Sequence, residues 1–200
     1  NIITIYEIGA EGDTHFIAAE FIDGKTLGEY ANREPLNFKV VLEIAIQIAS
    51  ALNEAHAAKI AHRDIKPDNV MIRGRDGLVK VLDFGLAKLT QIPSEESETL
   101  IQPPVDDPNF AYRAPFSTSP GIVMGTPNYM SPEQARGRDI DLQTDIFSFG
   151  VLLYEMLSGA LPFTGETTGD IIASILTKEP KPLGEVNKEL PPELCDVVGG

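Results

Sequence analysis

The sequence predicts an α+β fold in which short strands come first and long helices follow. Residues 2–8 and 15–22 are rich in β-branched side chains and flank a turn signal at residues 11–13. This pattern predicts an antiparallel hairpin. From Phe38 the apolar side chains recur at helical spacing, at Val41, Ile44, Ala45, Ile48, Ala49 and Leu52. We therefore expect a long amphipathic helix that ends near Lys59.

A second small hairpin and two further helices are predicted later in the chain. Apolar runs at residues 70–72 and 79–82 are separated by a turn signal at residues 75–77. Helical patterns follow at residues 142–157 and 168–177. Residues 90–120 lie between the second hairpin and these helices and are rich in proline and acidic side chains. We therefore expect this segment to be mobile.

Composition narrows the classes of function. Two hundred residues with 42% hydrophobic side chains suffice for one sizeable core. The net charge of −14 argues against a nucleic-acid partner or an anionic membrane surface. Cys195 is the only cysteine, so no intramolecular disulfide can form, and this favours a reducing, cytoplasmic location. Cys195 and the three histidines do not form a metal-ligand set. We see no signal peptide, and the apolar run at residues 146–157 is too short to span a bilayer.

Three motifs carry the chemistry, and they occur in a fixed order. Residues 62–69 read HRDIKPDN, residues 83–85 read DFG, and residues 125–133 read GTPNYMSPE. They resemble the catalytic loop, the metal-binding motif and the substrate-side anchor of protein kinases. A single motif could arise by chance, but the ordered set with a hairpin between its first two members is strong evidence.

The resemblance implies a role for each reactive residue. Asp64 is expected to orient the attacking hydroxyl and accept its proton, and Lys66 to stabilise charge on the γ-phosphate of ATP. Asn69 and Asp83 are expected to hold Mg²⁺, which suits an amide oxygen and a carboxylate. Thr126 is expected to hydrogen-bond near Asp64 and Lys66.

Other residues match positions that support the family's fold. The resemblance implies structural roles for His62, Phe84, Gly85 and Glu133. Asp145 matches a buried aspartate that braces the backbone of the catalytic loop. Such a buried carboxylate is tolerated only if it accepts hydrogen bonds.

The adenine site and the substrate class follow from the same resemblance. Residues 20–24 resemble the hinge between the two lobes, where the carbonyl of Glu20 and the amide of Ile22 meet the adenine edge. Ala19 then occupies the gatekeeper position, and Met71 forms the adenine floor. The lysine two residues after Asp64, together with a Gly-Thr pair before the substrate-side anchor, is typical of serine/threonine kinases.

Regulation is the most open part of the interpretation. Arg63 directly precedes Asp64, and relatives with this arginine usually depend on a phosphorylated activation loop. Thr118 best matches the position phosphorylated in bacterial relatives, followed by Ser119. A plain polar linker at these residues is an equally simple explanation. Expected partners are proteins with Ser or Thr acceptors, and a second kinase copy for autophosphorylation.

The resemblance extends over essentially the whole chain and is closest to bacterial Hanks-type kinases, as the segment SPEQARG at residues 131–137 suggests. Residues 1–22 correspond to the end of the N-lobe and the hinge, and residues 23–200 to a mainly helical C-lobe. Residues 83–133 form an activation segment lengthened by the acidic, proline-rich insert. Residues 1–200 contain no glycine-rich loop, strand lysine or helix-C glutamate, so we expect this segment alone to be inactive. The arginine that normally pairs with Glu133 is also missing.

Two other functions are left open by the residues. A non-catalytic pseudokinase or interaction module is disfavoured because Asp64, Lys66, Asn69 and Asp83 are all intact. An aminoglycoside-type phosphotransferase shares the catalytic Asp and Asn but lacks the DFG and SPE motifs.

Overall fold

The computed structural model describes residues 1–12, 14–32, 36–84 and 127–199. The first predicted hairpin is present: β1 (Ile5–Glu11) pairs antiparallel with β2 (Thr14–Ala19), with Ile8 opposite Ile17. Its large apolar side chains are mostly exposed, at Ile5, Tyr6, Ile8, Phe16 and Ile17. The pairing ends at Ala19, earlier than predicted, so residues 20–23 form a linker between two sheets.

The second sheet has the strand order β3 (Gly24–Thr26), β4 (Val70–Arg73), β5 (Val79–Val81), and its pairs are antiparallel. The pair β4–β5 confirms the second predicted hairpin. Strand β3 was not predicted, because three residues that include a glycine show no strand periodicity. A glycine is needed at the start of β3, since a Cβ on Gly24 would lie 2.2 Å from the carbonyl oxygen of Ile72.

Helix α1 (Leu27–Ala31) and helix α2 (Phe38–Ala57) follow β3. Helix α1 is too short to show periodicity, but Thr26 and Glu29 form a capping box that fixes its start. Helix α2 is the predicted long helix and begins at the Asn37 cap. It ends two residues before Lys59, whose φ of 60° is incompatible with a continued helix.

The later helices are α3 (Pro132–Ala135), α4 (Gln143–Ser158), α5 (Thr168–Thr177), α6 (Leu183–Val186) and α7 (Pro192–Gly199). Helices α4 and α5 were predicted, and their bounds agree with the prediction to within one residue. Helix α4 ends at Gly159, which takes the left-handed conformation with a φ of 72°. The segment predicted to be mobile, residues 90–120, lies outside the described residues.

The core lies where α2 and α4 pack together and against the second sheet. Most of its buried members come from both helices, the strands and the loop before β4, among them Val41, Ile44, Ile48, Leu52, Ile65, Val70, Val79, Val81, Leu152, Met156 and Leu157. Full burial of one such side chain stabilises the fold by about 1.5–3 kcal/mol. The loop between α2 and β4 is therefore fastened to the core through Ile65. Among the described residues, no helix is both long and apolar enough to cross a lipid bilayer.

Candidate active site

The loop between α2 and β4 presents one carboxylate to solvent and anchors the residue beside it. The side chain of Ile65 is fully buried, whereas that of Asp64 is 60% exposed. A reactive group needs access to its substrate, and its backbone must not move. This loop meets both conditions at neighbouring residues.

Asp145 of helix α4 accepts hydrogen bonds from the backbone of the loop between α2 and β4. Its Oδ1 accepts a hydrogen bond from the Arg63 amide at 2.7 Å, and its Oδ2 accepts one from the His62 amide at 2.8 Å. Nε2 of His56 in α2 lies 2.8 Å from the same Oδ2. Asp145 has no exposed surface, so these contacts replace its lost hydration. Arg63 has a φ of 72°, an uncommon conformation for a non-glycine residue, and these bonds help to hold it.

The side chains of Asp64, Lys66 and Asn69 converge. Oδ2 of Asp64 lies 2.6 Å from Nζ of Lys66 and accepts a bond from Nδ2 of Asn69 at 2.9 Å. The same Nδ2 donates to the backbone carbonyl of Asp64 at 2.7 Å. A carboxylate and an ammonium group therefore lie side by side, as proton acceptance and stabilisation of phosphate charge require.

Asp83 is brought next to Asn69 by the β4–β5 hairpin. Val70 pairs with Val81, and the amide of Leu82 donates to the carbonyl of Asn69 at 2.8 Å. Asp83 follows Leu82, is exposed and has a φ of 58°. The side-chain NH₂ group of Asn69 donates both of its hydrogen bonds to Asp64. Among the described residues, no donor is bonded to the side-chain oxygen of Asn69. One amide oxygen and one carboxylate are thus available, which fits Mg²⁺ held between protein and phosphate oxygens.

His62 is a buried neutral imidazole that links the two motifs. Its Nε2 lies 2.6 Å from the carbonyl of Leu82, and its Nδ1 accepts a bond from the Asp64 amide at 3.2 Å. This pair of contacts places the proton on Nε2. The ring also meets Phe84 edge-on at a centroid distance of 4.6 Å. The structural roles of both residues stay predictions.

The burial of His62 predicts a loss of stability in acid. Burial lowers the pKa of His62, although the Leu82 carbonyl and the carboxylates of Asp145, Asp64 and Asp83 oppose that shift. The unfolded state then binds a proton more readily than the folded state, so stability falls as the pH drops below about 6.5. Urea unfolding at a series of pH values should show this fall in the wild type.

His62→Gln should flatten that pH dependence, because the amide can still contact the Leu82 carbonyl but does not titrate. His15→Gln, at an exposed position on β2, is the control and should keep the wild-type slope. Equal slopes for the wild type and His62→Gln would contradict the assignment.

The residues predicted to form a hinge lie between the last strand of the first sheet and the first strand of the second. Oε1 of Glu20 contacts Nζ of Lys80 at 2.5 Å and accepts a bond from the amide of Thr4. The Lys80 ammonium group, the largest influence, lowers the pKa of Glu20. Lys80 pairs with Met71 across the hairpin. Among the described residues, the carbonyl of Glu20 and the amide of Ile22 make no backbone hydrogen bond.

The segment predicted to be the substrate-side anchor contains Ser131, the residue that caps the start of α3. Gln134 and Ser131 form a reciprocal capping box. Oγ1 of Thr144 donates to Oε1 of Glu133 at 2.5 Å and lies 3.0 Å from Oγ of Ser131. Glu133 therefore has a partner in α4 within this chain. Nε2 of Gln134 reaches the carbonyl of Arg63 at 2.7 Å, which joins the anchor to the catalytic loop.

Four of the residues expected at the site, Gly85, Thr118, Ser119 and Thr126, lie outside the described residues. Three contributors were not predicted: His56, Lys80 and Gln134. The capping-box pattern Ser131-x-x-Gln134 was a visible signal for the last of these. Nothing local marks His56 or Lys80, since each is an ordinary polar residue on a helix or strand.

Comparison with known proteins finds the same family that the motifs resemble. The family model described as "Protein kinase domain" matches residues 1–198. The serine/threonine-protein kinase pkn3 of Myxococcus xanthus is 41% identical over 187 residues, 91% of this chain and 31% of that protein. The serine/threonine-protein kinase PrkC of Bacillus subtilis is 36% identical over 199 residues, 99% of this chain and 27% of that protein. The chain thus spans about a third or less of the length of these relatives.

Proposed function

Because this chain belongs to the protein kinase family, we propose that the protein transfers the γ-phosphate of ATP to Ser or Thr hydroxyls of protein substrates. The observation that carries this proposal is the cluster of Asp64, Lys66 and Asn69 on a loop braced by Asp145. All of the reactive groups are intact, which disfavours a pseudokinase. Bacterial relatives named serine/threonine-protein kinases support the Ser/Thr class.

The chemistry of this cluster follows from its contacts. The substrate hydroxyl oxygen bonds to the γ-phosphorus, the bond from phosphorus to the bridging oxygen breaks, and ADP leaves. The hydroxyl proton passes to the carboxylate of Asp64, which lies 2.6 Å from the ammonium nitrogen of Lys66. Lys66 can also face the transferred phosphate. Asn69 and Asp83 would hold Mg²⁺, which would supply the positive charge that neutralises the phosphates.

The division of the chain and its adenine site are part of the proposal. Residues 1–22 form the end of the N-lobe and the hinge, residues 23–200 the C-lobe, and residues 83–133 the activation segment. Adenine lies against Ala19 and Met71 and bonds to the Glu20 carbonyl and the Ile22 amide. A second kinase copy is proposed as the partner in autophosphorylation, and a cytoplasmic location for this segment remains a prediction.

A phosphate-transfer assay on the full-length protein tests the function. Labelled ATP and Mg²⁺ are offered with a Ser/Thr-containing protein acceptor, and separately with an aminoglycoside. Transfer to protein Ser or Thr, lost in Asp64→Asn, is the expected result. Transfer to the aminoglycoside alone would indicate a small-molecule phosphotransferase, and no transfer to either would indicate a pseudokinase.

The gatekeeper assignment predicts an unusually open adenine site. Ala19 is the last residue of β2 and is exposed, so little side-chain volume lies beside the proposed adenine position. ATP analogues with a bulky N6 substituent should therefore be used by the wild type without engineering. Ala19→Met should block these analogues while the KM for ATP stays within about twofold. A wild type that rejects the analogues as firmly as Ala19→Met does would show that the register is wrong.

The environment of Arg63 supports activation by phosphorylation. Its Nε is buried and has no hydrogen-bond partner among the described residues. A phosphate brings about −1.5 to −2 charges and can bond to a guanidinium group through two oxygens. We propose Thr118 as the first phosphorylated residue and Ser119 as the second.

The expected result is a phosphate on Thr118 in active full-length enzyme and loss of activity in Thr118→Ala. Mass spectrometry and kinetics measure the two. Arg63→Ala should cause a similar loss, and combining it with Thr118→Ala should cause no further loss. Full activity in the Thr118→Ala, Ser119→Ala double variant, with no phosphate on residues 117–119, would rule the proposal out.

A further inference from the structure

Gln134 makes two hydrogen bonds with the two ends of its side-chain amide. Oε1 accepts a bond from the amide of Ser131 at 2.9 Å, which completes the cap of α3. Nε2 donates to the carbonyl of Arg63 at 2.7 Å, across 71 positions of sequence. The side chain therefore joins the start of α3 to the peptide group directly before Asp64.

That peptide group decides where the carboxylate of Asp64 lies. The carbonyl of Arg63 and the amide of Asp64 belong to one planar unit, which rotates as a whole. Its N–H is held by Nδ1 of His62, at a long 3.2 Å, and its carbonyl by Gln134 at 2.7 Å. No other donor to this carbonyl occurs in the described part of the chain. Gln134 thus makes the shorter of the two contacts that prevent rotation.

The peptide group between Arg63 and Asp64 needs contacts that prevent it from rotating. Arg63 has a φ of 72°, in the sparsely populated left-handed region, where a residue persists only if its surroundings hold it. Asp145 holds the amide of Arg63 but cannot hold its carbonyl, because a carboxylate has no hydrogen to donate. A displacement of about 1 Å at a reacting group can cost about 100-fold in rate.

We infer that Gln134 is a positioning residue for Asp64, an inference that rests on the proposed function. Its amide N–H fixes the peptide group between Arg63 and Asp64 and so sets the orientation of the carboxylate that receives the substrate proton. The simpler alternative is that Gln134 only caps α3. The two alternatives differ in which end of the amide matters: the oxygen for the cap, the nitrogen for positioning.

A pair of variants separates the two ends of the side chain. Gln134→Glu keeps an oxygen for the Ser131 amide, and glutamate is a preferred residue in a capping box. It removes the donor and places an oxygen opposite the Arg63 carbonyl. Gln134→Ala removes both contacts. Gln143→Glu, the same change at an exposed position at the start of α4, is the matched control.

The readouts are kcat, the KM for ATP and the Tm of the full-length protein. We expect kcat to fall about 10- to 100-fold in both Gln134 variants, with the KM for ATP within about twofold. Only Gln134→Ala should lose Tm, and Gln143→Glu should match the wild type. If Gln134→Glu does not fold, the inference can still be refuted, because a folded Gln134→Ala that keeps the wild-type kcat would overturn it.

The opposite outcomes are distinct. An active wild type whose kcat is retained in Gln134→Glu, with Tm lowered in Gln134→Ala, would show that the residue is only a cap and overturn the inference. Retained kcat in both variants would overturn it as well. A wild type that transfers no phosphate would instead overturn the proposed function, and the inference with it.

Discussion

Replacing Asp64 with asparagine is expected to lower kcat for protein phosphorylation by about 10³-fold, within the range of a lost general base. Asparagine has the same shape, so the contact with Asn69 can be kept through its amide oxygen. It cannot accept a proton, and it removes the anion that lies 2.6 Å from Nζ of Lys66. Because Asp64 takes no part in the proposed adenine site, the affinity for ATP should change by less than about threefold. Steady-state kinetics and calorimetry of ATP binding measure the two effects.

The matched control is Asp139→Asn, which makes the same change at an exposed position between α3 and α4. Its kcat should equal that of the wild type. If Asp64→Asn retained more than about a tenth of the wild-type kcat, Asp64 would not be the proton acceptor. A matching loss of ATP affinity would instead indicate that the whole site had been disturbed.

Removing the carboxylate of Asp145 is expected to cause the largest loss of stability of any single change proposed for this chain. Asp145→Ala leaves the amides of His62 and Arg63 and the ring of His56 without their acceptor, a carboxylate that has no exposed surface. Each unsatisfied buried group costs about 1–3 kcal/mol, so the free energy of unfolding should fall by about 3 kcal/mol or more. Urea unfolding of the full-length protein measures this, provided that the kinase transition is resolved from any other.

Asp145→Asn should be intermediate, because one amide oxygen remains but the NH₂ group faces a backbone donor. His56→Ala, which removes one of the three donors and leaves the carboxylate, should cost less than Asp145→Ala. Asp139→Ala serves as the control for the loss of an aspartate and should be close to neutral. A loss below about 1 kcal/mol for Asp145→Ala would mean that water replaces the carboxylate and that the loop is not braced as described.

The elements that could be predicted from sequence are those with a long periodic pattern. Helices α2, α4 and α5 each contain enough turns for apolar spacing to show, and the hairpin β4–β5 is marked by a turn between two apolar runs. Strand β3 and helices α1, α3, α6 and α7 are too short for such a pattern, and none of them was predicted. Strand β3 depends on a distant part of the chain, since it pairs with β4, where Gly24 lies close to the carbonyl of Ile72.

The candidate site also contains features that could be predicted from sequence and features that could not. Residues of the catalytic motifs could be named from their local order, because the chemistry requires particular side chains at fixed spacing. The resemblance implied that Asp145 braces the loop, but three other contacts were not predicted, since each joins positions far apart in sequence: His56 with Asp145, Glu20 with Lys80, and Gln134 with the Arg63 carbonyl. Their side chains are common polar residues, and only the folded chain shows which backbone group each one meets.

The bracing of the catalytic loop by Asp145 also determines how the protein opens. Loop amides usually exchange their hydrogens with solvent through small local fluctuations, whereas core amides exchange only when a whole cooperative unit unfolds. The amides of His62 and Arg63 belong to a loop, yet they donate to a carboxylate in the middle of the core. Both should therefore exchange as slowly as the amides of α4 itself. Asp64 would then remain in register through every partial opening of the molecule that leaves α4 folded.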